Sequence, residues 1–220
     1  RFDYQHAASI HDLKQIPTLA LIAVGAKHAE SWHAKAQPMD FFDFKGDIEE
    51  ILAAGRVQVE YVRSERTWLH PGQSAEILVD GQSIGYFGRL HPSLEDELDL
   101  GTAWVAELDQ TAVLQTYVSN FTELSRFPSV RRDIALLISD KINVSEIQQL
   151  IEKTGGALLD STWLFDVYTG QGVEQGKRSL AFALLWQHPT RTLEDAEIKS
   201  GMDNILQVLE NTYQATLRAS

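Results

Sequence analysis

The sequence predicts an α+β protein made of two antiparallel-sheet modules, the second with the element order βαββαβ. Short segments that alternate apolar and polar residues recur along the chain and are separated by Gly, Pro and Asp turn signals, which is typical of antiparallel strands. Longer segments place apolar residues at helical spacing. Because strand and helix patterns follow each other in a fixed order after residue 127, this fold class is favoured.

The first module is predicted to combine a helix with a hairpin. "DFFDFKGDIEEILAAG" places Phe41, Phe44 and Ile48 on one helical face, and Gly55 is suited to ending that helix. "LHPGQSAEILVDGQSIGYFGRLHP" predicts a hairpin with turns at Pro71-Gly72 and Asp80-Gly81, and "AWVAEL" predicts one more strand. Periodicity is lost from residue 117 to residue 129, so the predicted domains are 1–118 and 127–220, with a linker at 119–126.

The second module is predicted strand by strand. Strands are expected in "RRDIALLIS", "LDSTWLFDVY", "RSLAFALLWQ" and "QATLR", and helices in "NVSEIQQLIEKTGG" and "TLEDAEIKSGMDNILQVLENTY". Thr192 is the predicted N-cap of the last helix, with Asp195 at the capping-box position. This order is that of the ferredoxin-like fold, in which four antiparallel strands carry both helices on one face and leave the other face open.

Side-chain alternation assigns each strand residue to a face of that sheet. Ile134, Leu136 and Ile138 are expected to face the helices, as are Leu180, Phe182, Leu184 and Trp186 in the third strand. In the second strand Trp163, Phe165 and Val167 are expected inside, and Asp160, Thr162, Asp166 and Tyr168 outside. The centre of the open face is then expected to consist of small residues, Ala135, Ser179, Ala181 and Ala183.

A flat face of small residues with cations around it suits an unstacked RNA base, because single-stranded RNA is read by stacking and hydrogen bonding on such sheets. The candidate RNA-binding residues are Arg131, Arg132, Ala135, Tyr168, Lys177, Arg178, Ser179, Ala181, Ala183 and Arg218. Arg126 and Arg191 are further cations of this module. Alternation allows only one of Arg131 and Arg132 to point from the open face, and Arg131 is favoured. The alternative is a solvated rim around a face that accommodates another protein.

Composition restricts the possible functions. The chain of 220 residues is 44% hydrophobic with five tryptophans, has no cysteine and contains no apolar run long enough to span a membrane, which fits a folded protein of the reducing cytoplasm. Its net charge of −12 argues against binding nucleic acid over the whole surface, although residues 121–220 hold ten basic and 13 acidic side chains and are nearly balanced. Because the sequence begins with Arg1, we expect a fragment of a longer chain.

Several weaker signals predict no chemistry. His28 and His33 are five residues apart, which misses the spacing of a helical zinc site, and His70 and His91 lie in repeated Leu-His-Pro segments with no obvious third ligand. "TGQGVEQGK" joins two strands and lacks the ending of a phosphate-binding P-loop. The acidic run "SLEDELDL" is typical of a solvated helix. We predict no metal site and no catalytic residue.

Several stretches together carry a resemblance to a known family: "DFFDFKGDIE", "LHPGQSAEI", "IGYFGRLHP", "SRFPSVRRDIALL", "LFDVYTGQGVEQGKRSLAFAL" and "RTLEDAEI". With these residues the whole chain resembles the C-terminal part of the beta subunits of bacterial phenylalanyl-tRNA synthetases. The resemblance implies a class II synthetase-like antiparallel-sheet module without catalytic duty, followed by a ferredoxin-fold anticodon-binding domain. Arg89 is expected in a tight turn, and no set of arginines suggests an ATP clamp in the first module.

The resemblance also implies partners and cofactors. They are the anticodon stem-loop of tRNA(Phe) and an alpha subunit, in a cytoplasmic heterotetramer of two alpha and two beta subunits. No cofactor is expected in this segment, whereas the complete enzyme needs ATP and Mg²⁺.

Two other functions remain open. An RRM-type module stacks bases on outward aromatics of its third strand, but the aromatic of that strand here, Phe182, has core parity. A ferredoxin-like regulatory or subunit-assembly module would instead bury the open sheet face against a protein or a small molecule.

Overall fold

The computed structural model describes residues 2–3, 9, 14–114 and 125–218. The chain divides into two compact units, Arg1–Asn120 and Phe121–Ser220. The predicted linker lies largely outside the described residues, since only Ser125 and Arg126 of it are described.

The first unit contains a five-stranded antiparallel sheet in the order β3-β7-β6-β5-β4, and β1 and β2 form a separate pair. Its elements are β1 (Phe2–Asp3), β2 (Lys14–Gln15), β3 (Thr18–Val24), α1 (Phe41–Ala54), β4 (Glu60–Arg63), β5 (Leu69–Val79), β6 (Gln82–Leu90), α2 (Pro92–Glu97), β7 (Ala103–Asp109) and α3 (Gln110–Val113).

Helix α1 covers one face of this sheet, as its spacing predicts. The Asp40 carboxylate accepts from the backbone N–H groups of Phe42 and Asp43, both at 2.8 Å, and so caps the helix. The helix ends before Gly55. Its buried residues Phe44, Ile48 and Leu52 pack in one core with residues of three strands, among them Ile77, Phe87, Trp104 and Leu108.

The hairpin β5–β6 is confirmed, but only one of its two predicted turns exists. Asp80 and Gly81 have φ of 49° and 76°, the left-handed values that a two-residue type I′ turn requires. Pro71-Gly72 is not a turn, because it lies inside β5, where the pairing register with β6 shifts between Leu69 and Ser74. The expected tight turn at Arg89 is also wrong, since Arg89 lies in β6.

Two strands of this sheet are not predicted from the sequence. β3 lies within "IPTLALIAVGA" and β4 within "VEYVRS", and both are edge strands. Neither strand shows a clean alternation of apolar and polar residues, because apolar side chains also occupy exposed positions. The exposed side chains of Ile22, Val24 and Val62 are examples of the apolar residues that blur the pattern here.

The second unit has the predicted βαββαβ order. Its elements are β8 (Val130–Ser139), α4 (Val144–Gly155), a 3₁₀ turn (Gly156–Leu158), β9 (Leu159–Tyr168), β10 (Lys177–Trp186), α5 (Asp195–Tyr213) and β11 (Thr216–Leu217). The antiparallel sheet has the order β11-β8-β10-β9. The prediction of a ferredoxin-like fold is confirmed.

Both helices of the second unit lie on one face of the sheet. Ile147 and Ile151 of α4 and Ile198, Ile205 and Leu209 of α5 are in one core cluster with the inward residues of β8 and β10. Helix α5 begins at Asp195 with Glu194 as N-cap, whose N–H donates to the Glu197 carboxylate at 3.0 Å. The predicted Thr192 cap is wrong, because Leu193 is buried in the core and the helix begins only after it.

Candidate nucleic-acid interface

The face of the four-stranded sheet that turns away from α4 and α5 is called the open face. Strand pairing places Asp133 opposite Ala183, Ala135 opposite Ala181 and Leu137 opposite Ser179, with these side chains on the open face. The inward residues alternate with them and are buried, as predicted: Ile134, Leu136 and Ile138 in β8 and Leu180, Phe182, Leu184 and Trp186 in β10.

Strand β9 corrects the predicted pattern of the open face. Its pairing with β10 is irregular between Ala181 and Phe182, where β9 steps from Asp166 to Leu164 and leaves Phe165 as an extra residue. Such a bulge reverses the alternation beyond it. Trp163 and Phe165 are therefore outside, 39% and 48% exposed, while Thr162 is buried and donates to the Ala183 carbonyl at 3.0 Å.

The first cluster on this face joins Tyr168 of β9 to Arg218, the residue that follows β11. The guanidinium carbon of Arg218 lies 4.6 Å from the ring centroid of Tyr168. The Arg218 N–H donates to the Ala135 carbonyl at 2.9 Å, which fixes its backbone beside the small residues of the sheet. A Cβ at Gly170 would lie 2.4 Å from the Tyr168 hydroxyl, so glycine there lets the ring pack against the following loop.

The second cluster is centred on Arg131. Its guanidinium lies 5.4 Å from the ring centroid of Trp163 and 5.3 Å from that of Phe165. The same side chain donates to both carboxylate oxygens of Asp133, at 2.7 and 3.2 Å. Hydrogen bonding to Asp133 raises the pKa of Arg131 above its ordinary value, so this arginine is cationic at all ordinary pH.

The structure does not bring all predicted RNA-binding residues to this face. Arg132 lies on the helix side of β8, 3.5 Å from the Asp195 carboxylate at the start of α5. Arg178 also lies on the helix side and donates to the Ile142 carbonyl at 2.5 Å. Lys177 pairs with Glu174 at 2.9 Å, at the loop end of the open face.

Two of the small residues at the centre of the open face are buried and so cannot be reached directly by a base. Ser179 is 4% exposed and Ala183 is fully buried, with Trp163 paired directly to Ala183. Ala135 and Ala181 stay partly exposed. The accessible part of the platform is therefore the area around Ala135 and Ala181, between the two clusters.

Sequence reasoning missed Trp163 and Phe165 as outward residues. Both parities of β9 carry apolar side chains, since Leu164 has the opposite parity to Trp163 and Phe165 and packs against the core. Two apolar parities in one strand are the signal of a bulge that the sequence offers, although the position of the bulge cannot be read from it.

In the first unit Arg66 and Arg63 have partners within the protein. Arg66 donates to Glu76 at 2.7 Å and lies 3.9 Å from the ring centroid of Tyr86. Arg63 donates to the Pro71 carbonyl at 2.9 Å. The described residues contain no group of His, Asp and Glu that could hold a metal ion. Within the described part of the chain no helix is long and apolar enough to cross a membrane.

Comparison with known families divides the chain as the structure does. Residues 125–218 match a family model described as a ferredoxin-fold anticodon binding domain. Residues 4–110 match one described as the phenylalanyl tRNA synthetase beta chain CLM domain.

Individual relatives match the chain along almost its whole length. It is 85% identical over 220 residues to the phenylalanine–tRNA ligase beta subunit of Acinetobacter baylyi, covering 100% of this chain and 28% of that protein. It is 42% identical to the subunit of Psychrobacter arcticus, over 96% of this chain and 27% of that protein. It is 40% identical to the subunit of Bacillus subtilis, over 94% of this chain and 26% of that protein. The chain thus spans little more than a quarter of the length of these relatives.

Proposed function

We propose, because the chain belongs to the phenylalanine–tRNA ligase beta subunit family, that its second unit binds the anticodon loop of tRNA(Phe) on the open face. The observation that carries the proposal is the contact between Arg218 and Tyr168 beside Ala135 and Ala181. An aromatic ring with a guanidinium on it, next to small side chains, is a surface on which an unpaired base stacks while the cation attracts phosphate.

Within the complete enzyme this contact would supply specificity and positioning. Binding energy from the anticodon holds the tRNA so that its acceptor end reaches a distant active site. The proposed partner that contains this site is the alpha subunit, in a cytoplasmic assembly of two alpha and two beta subunits that uses ATP and Mg²⁺.

The first unit is proposed to be non-catalytic. Adenylate formation needs arginines that are free to grip ATP and carboxylates that are free to hold magnesium. Arg66 and Glu76 bind each other, and Arg89 binds Glu95 at 2.6 Å. Pyrophosphate exchange with phenylalanine and ATP tests this, and turnover above background by the pure chain would refute it.

The RNA proposal is tested by titrating the chain with the anticodon stem-loop of tRNA(Phe) and with the same stem-loop carrying a changed anticodon. Tyr168→Ala is expected to weaken binding of the matched stem-loop by about 1 to 3 kcal/mol and to reduce discrimination. Lys199→Ala removes a charge from the exposed side of α5, on the opposite side of the sheet, and should change little. Equal loss in both variants, or no binding by the wild type, would refute the proposal.

A further inference from the structure

We infer that the cluster of Arg131, Trp163 and Phe165 is a second base-stacking site on the open face, separate from Tyr168 and Arg218. This inference rests on the proposed function and deepens it, because it makes the open face hold two unpaired bases at once. The ligand is single-stranded RNA, and the second base lies on the ring of Trp163 or Phe165 beside the Arg131 guanidinium.

The exposure of these two rings depends on the bulge in β9. Without the bulge, unbroken alternation from Val167, which pairs with Leu180 of the core, would turn Phe165 and Trp163 inward. With it, both rings are outside on the edge strand and remain 39% and 48% exposed. Among the described residues no other aromatic ring is found stacked on either of them, and the Arg131 guanidinium lies 5.4 and 5.3 Å from the two ring centroids.

Planar groups of this kind are what unstacked bases bind. Bases splayed from single-stranded RNA stack on aromatic rings and on arginine guanidinium planes, and sheets of related architecture hold two or three bases in this way. The ion pair with Asp133 holds the Arg131 guanidinium near both rings before any ligand arrives. A base on Trp163 or Phe165 therefore meets a prepared cation as well as a ring.

The distance between the two clusters sets how many bases they hold. Trp163 pairs with Ala183, and Tyr168 pairs with Ser179. Four residue steps on β10 separate these partners, which is about 13 Å along the strand. Stacked neighbours in a nucleic-acid strand are only about 3.4 Å apart. One stacked pair cannot reach both clusters, so the two bases must be splayed apart by the loop.

Charge and area favour RNA over a protein partner. The clusters and the surface between them carry Arg218, Asp166 and Asp133 as well as two alanines, and the cores of protein interfaces are depleted of charged residues. Two half-exposed rings also provide much less than the roughly 800 Å² that each partner buries in a stable protein complex.

The test places 2-aminopurine, whose fluorescence is quenched by stacking, at each loop position of the tRNA(Phe) anticodon stem-loop in turn. With the wild-type chain we expect altered emission at two non-adjacent positions. Trp163→Leu should abolish the change at one of them and weaken binding about 5- to 150-fold, whereas Tyr168→Leu should abolish it at the other. Val167→Ala, on the opposite side of β9, is the matched control.

The outcomes separate the two proposals. If Trp163→Leu and Phe165→Leu leave every position and the affinity unchanged while Tyr168→Leu acts, the second site is refuted and the proposed function stands. If the wild type binds no stem-loop, both fall. If the Trp163 and Phe165 variants bind RNA normally but lose affinity for the alpha subunit, the cluster is a protein contact and the inference is overturned. Circular dichroism of each variant verifies that it is folded.

Discussion

Arg89 and Glu95 of the first unit form an ion pair with an enclosed carboxylate. The Glu95 carboxylate is 5% exposed, and it accepts from the Arg89 guanidinium at 2.6 Å and from the Ala103 N–H at 2.9 Å. The sequence run "SLEDELDL" predicts only a solvated acidic helix, because Glu95 differs from its acidic neighbours solely through its tertiary partners. This residue ties α2 to two strands of the first unit.

Glu95→Gln is expected to destabilise the first unit by about 2 kcal/mol, because the amide leaves the arginine without its charged partner. Hydrogen bonding to Arg89 lowers the pKa of Glu95 below its ordinary value of 4.5. Ionised Glu95 therefore stabilises the fold above pH 4.5, and this contribution is lost as the pH falls through the lower folded-state pKa. Urea unfolding of wild type and variant should give a gap that is constant near neutral pH and closes in acid. Glu97→Gln, exposed on the same helix, is the control, and equal stabilities of the two variants would contradict the assignment.

Ala181 and Ala183 of β10 both face the open side of the sheet, but replacing them is expected to change the stability by different amounts. Ala183 is fully buried beneath neighbours that include Trp163, whereas Ala181 is partly exposed. Ala183→Leu should overpack its site and cost about 1 to 3 kcal/mol, whereas Ala181→Leu should cost no more than about 1 kcal/mol. Thermal unfolding distinguishes them, and a larger loss for Ala181→Leu would show that the platform is covered differently. If the costs fall as expected, only Ala181→Leu cleanly tests whether small residues are needed for RNA binding.

At the level of elements, the sequence predicts most of this fold but not the decisive strand. Helices α1, α4 and α5 and strands β8 and β10 follow from clean periodicity, because each buries one face in one core. β9 does not, since its bulge depends on how an edge strand fits its partner and not on its own composition. Arg131 and Tyr168 could therefore be proposed for the candidate site from sequence, whereas Trp163 and Phe165 could not.

Deletion of Phe165 tests the bulge directly. Leu164 would then follow Asp166 in regular alternation, with Trp163 still opposite Ala183 and Thr162 still opposite Leu184. We expect the shortened chain to fold with a loss of about 1 to 2 kcal/mol. Deletion of Trp163 is the matched control, because it also closes the bulge but turns Phe165 toward the core opposite Phe182 and Leu164 outward opposite Ala183, and it should cost clearly more. Unfolding curves that rank the two deletions in the opposite order would contradict this description of β9.

At the level of the whole molecule, charge limits how RNA can be held. The net charge is −12, and many cations of the second unit already have acidic partners. Arg131 pairs with Asp133, Lys177 with Glu174 and Arg191 with Glu197, the last at 2.6 Å. Hydrogen bonding to Arg191 lowers the pKa of Glu197 to about 2, so this carboxylate is ionised wherever RNA binding is measured. We therefore expect stacking to supply more of the proposed RNA affinity than phosphate contacts do.

This balance predicts a shallow dependence of stem-loop binding on salt. Each phosphate contact on single-stranded RNA contributes about 0.7 to the slope of log affinity against log salt, so two to four contacts give a slope of about −1.4 to −2.8. Arg131→Ala should lower discrimination between matched and changed anticodons if Arg131 helps to hold a base, whereas a pure phosphate contact would weaken all stem-loops equally and reduce the slope by about one unit. Salt series on wild type, Arg131→Ala and the control Lys199→Ala measure both the slope and the discrimination.

Two outcomes would contradict these expectations. A wild-type slope as steep as that of proteins that contact many phosphates would contradict an interface dominated by stacking. An Arg131 variant that matches wild type in affinity, slope and discrimination would make this arginine purely structural.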